Sequence, residues 1–230
     1  MKDQEMRTIA LLTQKGGTGK STLAASIAVV AAEKGEKVVV LDLDSQASLV
    51  RWGERRQAAN ARSQVIVEPF ESERLSRLPS ILAGLAGVGF TLAIFDTAGA
   101  DSGATRFVAE AADLCLLPAR PSRLDVEATA ATFRYAFLAK RRAAFVLNQC
   151  PANYRRARVT DAANCLTHLG LLAEPMLATR MDFQDAMSAG LGVTEYARGG
   201  RAAQEIEALW AWIGGQLEAG ESGASTNKAA

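Results

Sequence analysis

The chain has 230 residues, with 26 Lys plus Arg against 25 Asp plus Glu and a net charge of +1. Nearly half of it (49%) is hydrophobic, which suits one large domain that buries roughly three quarters of its unfolded surface. The balance of charge excludes a chain that grips polyanions over its whole surface, and no apolar run nears the roughly 18 residues of a membrane span.

The first predicted strand covers residues 8–13, and Lys15, Gly16, Gly17, Thr18, Gly19, Lys20, Ser21 and Thr22 follow it directly. A predicted helix over 21–34 carries Leu23, Ile27 and Val30 on one face. Strand, glycine-rich turn and helix in this order make a phosphate cradle: glycines let backbone N–H groups close around phosphate oxygens, and the helix adds its positive dipole end. Lys20 is then the phosphate lysine and Ser21 the hydroxyl on magnesium, so ATP and Mg2+ are the expected cofactors. The usual spacing wants glycine five residues before Gly19, where this chain has Gln14 and then an additional lysine, Lys15.

The second strand, 37–43, runs into Asp42 and Asp44, two carboxylates separated by one residue that are expected to do different work. Helix 45–61, strand 65–68 and helix 71–86 come next. Strand 91–96 ends four apolar residues with Asp96, a pattern that holds Mg2+ through water, and leads into 97–103, where the backbone of Gly99 can answer to the γ-phosphate. Helix 104–111 and strand 114–118 follow, with Pro118 and Pro121 bracketing a loop at the strand's mouth. Helix 123–139, strand 143–148 closed by Asn148, helix 155–169, a weaker strand 173–177, and helices 183–189 and 202–217 complete the series.

This alternation predicts an α/β fold: a three-layer, doubly wound, mostly parallel sheet flanked by helices, with Gly16, Asp42, Asp96 and Pro118 meeting beyond the strands' carboxyl ends. One domain is expected over 7–218, a flexible N-terminus over 1–6, and a disordered tail over 219–230, whose residues are small and polar. Cys115, Cys150 and Cys165 form no C-x-x-C pair and read as reduced core thiols, which implies a cytoplasmic location. His168 is the only histidine, too few for a histidine-based triad or zinc site.

The loop with its extra lysine, together with Leu41-Asp42-Leu43-Asp44, resembles the ParA/MinD family of deviant Walker A P-loop ATPases, nearest to short ParF-like and VirC-like members. The resemblance implies that two copies sandwich two ATP molecules, Lys15 reaching the partner's nucleotide. It further implies Asp42 in the magnesium shell with Ser21 and Asp96, Asp44 activating the attacking water, and Pro118 and Asn148 near adenine. For Asn148 an ordinary turn-capping role is an equal alternative. Residues 134–158 hold seven basic residues and no acid, Arg155 and Arg156 among them. Arg180, Arg198 and Arg201 lie in segments that resemble the family's DNA contacts.

The function so implied is a nucleoid-associated ATPase with slow intrinsic hydrolysis. It would form a homodimer with ATP, bind DNA non-specifically, and position a plasmid, chromosome region or protein cargo. A ParB-like or cargo-adaptor partner would stimulate it, and no membrane would be involved. The alternatives are a MinD-like membrane-positioning ATPase, disfavoured because Glu205, Glu207 and Glu218 charge the last helix, and a metabolic or cofactor-assembly enzyme on the same fold.

Overall fold

The computed structural model describes residues 6–99, 103–151 and 156–227, with side chains except at 156 and 221–227. The chain runs β1 (Arg7–Leu11), α1 (Lys20–Glu33), β2 (Val38–Asp42), α2 (Ser48–Ala58), β3 (Val65–Pro69), a 3₁₀ turn (Ser72–Arg77), α3 (Leu78–Gly87), β4 (Leu92–Asp96), α4 (Gly103–Ala111) and β5 (Leu114–Ala119). It continues through α5 (Arg123–Leu138), β6 (Arg142–Leu147), α6 (Arg156–Leu169), β7 (Leu171–Leu172), α7 (Met181–Ser188), α8 (Val193–Tyr196) and α9 (Arg201–Asn227).

All seven strands are parallel, in the order β3-β2-β4-β1-β5-β6-β7. Alternate residues of each strand face opposite layers. Ile9, Leu11, Val40, Ile94 and Leu116 pack under α1, α2 and α9, whereas Ala10, Leu12, Leu41, Phe95 and Leu117 pack with Val108 of α4, Ala136 of α5 and Leu166 of α6. Both faces of the sheet are thus covered, which is why the central strands read as unbroken apolar runs. Because every strand points the same way, the ends of β1, β2, β4, β5 and β6 open on one rim.

Some boundaries differ from the sequence reading. The last strand is Leu171–Leu172 and not 173–177; Pro175 lacks the N–H that a longer ladder needs, and beyond it the Leu177 N–H donates to the Leu147 carbonyl of β6 next to the Cys150–Ala178 bridge. The segment expected as one helix over 71–86 begins with the 3₁₀ turn. Met6, assigned to the flexible N-terminus, is buried in the core, while 1–5 lie outside the described residues. Helical backbone in α9 continues through 219–227, assigned to the disordered tail, since nothing there removes a backbone donor. Residues 228–230 lie outside the description.

Candidate nucleotide site

The loop between β1 and α1 bends through two left-handed glycines, Gly17 (φ +77°) and Gly19 (φ +87°), the latter capping α1. A Cβ on Gly19 would stand 2.5 Å from Asn148 Nδ2. The loop is braced from β6: Asn148 Nδ2 donates to the Thr18 carbonyl at 2.7 Å, and Gln149 Nε2 donates to the Gly17 carbonyl at 3.1 Å. In a trans peptide the N–H points opposite the carbonyl, so these two bonds turn the N–H groups of Gly19 and Thr18 away from the brace. Bracing the loop is a job for Asn148 that the sequence reading missed, distinct from the adenine contact and the turn cap. Replacing Gly19 with alanine combines a strained φ with a clash, and we expect ATP–Mg2+ affinity to fall by about tenfold or more in calorimetry.

Lys20 is buried at the start of α1. Burial lowers its pKa, and the charges of Asp96 and Asp44 oppose that shift. Gly99 packs on the loop, a Cβ there lying 3.5 Å from Gly16 and 3.6 Å from Lys20 Nζ. The rest of the expected sensor stretch, 100–102, is outside the described residues.

Asp42 and Asp96 sit side by side in register at the ends of β2 and β4. Asp96 is fully buried, and neither carboxylate oxygen has a hydrogen bond of normal geometry among the described residues. Burial pushes its pKa up to about 7, with the Ser21 hydroxyl and Lys20 acting in the opposite direction. Two buried, unpartnered oxygens of this kind fit a divalent cation or its water shell.

Asp42 is used differently. Its Oδ1 accepts the Asp44 N–H at 3.0 Å, and its Oδ2 accepts those of Leu49 (3.0 Å) and Val50 (3.1 Å). It thereby caps α2, whose own N-cap, Ala47, has no side-chain acceptor. Burial still raises its pKa, against those three backbone hydrogen bonds. Asp44 Oδ1 accepts the Gln46 N–H at 2.9 Å and forms a turn. That turn is why α2 begins at Ser48 and not at Ser45.

Lys15 Nζ meets Asp125 Oδ2 at 3.0 Å, and Arg120 Nε meets Asp125 Oδ1 at 3.0 Å. The Ser122 hydroxyl also donates to Oδ2, and Ser122 caps α5. Burial would raise the Asp125 carboxyl, but hydrogen bonds from Ser122, Lys15 and Arg120 hold it below the usual carboxylate range. The sequence reading placed Arg120 and Asp125 in a segment, 118–125, that resembles the family's proline-rich loop near adenine and the dimer interface, but gave neither a role of its own; the available signal was an acid three residues after a serine, the pattern of a helix start. Pro118 is buried inside β5, paired in register with Val146, and does not border a loop, because the strand runs one residue further than expected.

Of the arginines assigned to DNA, Arg180 is tied to Glu205 of α9 through Nε (3.1 Å) and Nη2 (2.5 Å), an acid that tertiary folding brings from another element. Arg198 and Arg201 are exposed. Arg155 lies outside the described residues, and Arg156 opens α6 with its side chain undescribed.

Residues 6–199 match the family model described as VirC1 protein. The chain belongs to the VirC1 family. This VirC1-family chain is 30% identical over 215 residues to maintenance of carboxysome distribution protein A of Gloeobacter kilaueensis, covering 92% of this chain and 94% of that one. Its fold matches an ATP complex of a McdA variant from Cyanothece with a TM-score of 0.77 at 16% identity, over 92% of this chain and 97% of the other. It also matches the septum site-determining protein MinD of Pyrococcus horikoshii complexed with Mg-ADP (TM-score 0.72, 17% identity, 90% and 96% covered). The sheet and its helices are those of the ParA/MinD P-loop ATPases, a group of positioning proteins. No described helix of this family member is long and apolar enough to cross a membrane.

Proposed function

We propose that this chain is an ATP-switched positioning ATPase that closes as a dimer over two nucleotides and then holds DNA without sequence preference. The observation that carries the reading is the pair of unpartnered, buried Asp96 oxygens beside Lys20, at the foot of a glycine loop already braced for phosphate. Among the described residues no three potential metal-binding side chains cluster closely, which suits a cation that keeps most of its water. When bound, Mg2+ would neutralise phosphate charge, held by the Ser21 hydroxyl and, through water, by Asp96 and the remaining lone pair of Asp42 Oδ1.

The chain's own groups divide the remaining work. The Gly16–Thr22 loop and Lys20 bind the phosphates, and Gly99 contacts the terminal one. Asp44 accepts a proton from the attacking water. Lys15 exchanges Asp125 for phosphate across the dimer, which makes hydrolysis slow until closure. Asn148 holds the phosphate loop in shape, and Arg198 and Arg201, with Arg155 and Arg156, are the residues that contact DNA. Arg180, occupied by Glu205, contributes to packing instead. A cargo-bound partner protein stimulates turnover and release.

The test is binding to non-specific duplex DNA with ADP or with ATP–Mg2+ over a salt series. We expect salt-sensitive binding with ATP only, lost in Lys15→Gln, which should still bind ATP. Each phosphate contact contributes about 0.9 to the logarithmic salt slope, so Arg201→Ala should lower the slope of a dimer by about 1.8. Arg180→Ala should leave the slope unchanged. DNA binding absent in every nucleotide state would defeat the reading.

A further inference from the structure

Arg120 stands over the phosphate loop. A Cβ on Gly17 would lie 3.8 Å from Arg120 Nη1, and the only hydrogen bond from this guanidinium among the described residues is Nε to Asp125 Oδ1. Asp125 is itself fixed: its side chain is 2% exposed, it sits in the first turn of α5, and its other oxygen takes Lys15 and Ser122. The guanidinium is therefore held by its Nε edge, and both terminal nitrogens are left to donate. A planar fork of this kind matches two phosphate oxygens at once. Its place along the loop also says which phosphate: Gly17 follows Gly16, against which Gly99 packs.

We propose that Arg120 is a phosphate-binding residue of the nucleotide site, contributed by the same chain from the loop between β5 and α5, directed at the terminal phosphate, and oriented by Asp125. The proposal rests on the nucleotide-site reading above. Asp125 is a positioning residue: its single negative charge is shared between Arg120 and Lys15, so that two cations can stand close to one loop before any phosphate arrives. A triphosphate then replaces part of this neutralisation with charge-assisted hydrogen bonds from Nη1 and Nη2.

The test is equilibrium binding of ATP–Mg2+, ADP–Mg2+ and AMP to the full chain and to Arg120→Gln, Arg120→Lys, Asp125→Asn and Lys20→Ala. For Arg120→Gln we expect ATP affinity to fall about 10- to 100-fold, ADP affinity to fall less and AMP affinity to stay unchanged. Arg120→Lys should recover only part of the loss, since an ammonium lacks the fork. The double variant Arg120→Gln with Asp125→Asn should bind ATP no more weakly than Arg120→Gln alone, because Asp125 acts on the terminal phosphate through Arg120. ATP affinity of Arg120→Gln within twofold of the native chain, while Lys20→Ala loses binding, would overturn this proposal and leave the nucleotide site standing. Equal losses for ATP, ADP and AMP would also overturn it, as general damage to the loop. Native ATP binding unaffected by Lys20→Ala would defeat the site reading itself.

Discussion

Asp44→Ala should lower ATP turnover by about 10²- to 10⁴-fold, the range over which a positioned general base contributes, while ATP affinity changes little. The separation follows from the geometry. In the proposed site the phosphates are gripped by loop backbone and Lys20, whereas Asp44 lies past the end of β2, half-exposed, with one oxygen holding the Gln46 N–H. That hydrogen bond creates an ambiguity, because alanine removes both a base and a turn. Asp44→Asn resolves it: the amide oxygen still accepts from Gln46, yet the side chain no longer takes a proton from water. Single-turnover hydrolysis should be equally slow in both variants, and both should accumulate as ATP-bound dimers in light scattering. Recovery of turnover in Asp44→Asn alone would reduce Asp44 to a turn-building residue.

The largest effect on stability is expected far from the phosphates. Arg56 of α2 and Glu195 of α8 form a buried bidentate pair, Nη1 to Oε2 at 2.6 Å and Nη2 to Oε1 at 2.9 Å, with both side chains under a tenth exposed. Arg56 also donates to the Gly190 and Ser63 carbonyls and lies over Trp52 at 5.4 Å, while Glu195 accepts the N–H groups of Gly192 and Ser63. Removing one partner strands the other charge in the interior, so Arg56→Ala should cost about 3–5 kcal/mol in urea unfolding at neutral pH. That is a large share of a typical domain's total stability. A cost below about 1 kcal/mol would show that water reaches the pair and screens it.

The same pair sets an acid limit. Burial alone would raise the Glu195 carboxyl, but Arg56 and the Gly192 and Ser63 N–H groups bring it down to about 2, from an ordinary value of 4.5. A carboxylate whose folded pKa is depressed stabilises the fold fully above its unfolded pKa and loses that contribution as pH falls through the folded one. Native stability should therefore decline between about pH 4.5 and 2 partly on account of Glu195, by an amount on the order of 3 kcal/mol. In Glu195→Gln this part of the decline should vanish, leaving a chain that is less stable at neutral pH but flatter toward acid.

Much of the candidate site's geometry was legible before any coordinates, because a glycine-rich turn from strand to helix is a local matter. The glycines, Lys20 and Ser21 are neighbours in sequence and stay neighbours in space. Asp96 could be read from four apolar residues ending in an acid, and the parallel sheet from the alternation of elements. Boundaries were less legible where one residue's hydrogen bond decides them, as with the Asp44 turn ahead of α2 or Pro175 beyond β7.

The order of the elements and the phosphate loop could be read along the chain, since each depends on residues within a few positions of one another. What far-separated polar groups do was set by folding. Asn148 braces a loop 130 residues earlier, and Asp125 gathers Arg120 together with a lysine 110 residues before it. Arg180 finds its acid on α9, 25 residues further along the chain. A polar side chain must satisfy its hydrogen bonds wherever folding leaves it, and the partner that does so is chosen by the packing of distant elements, which no local pattern records.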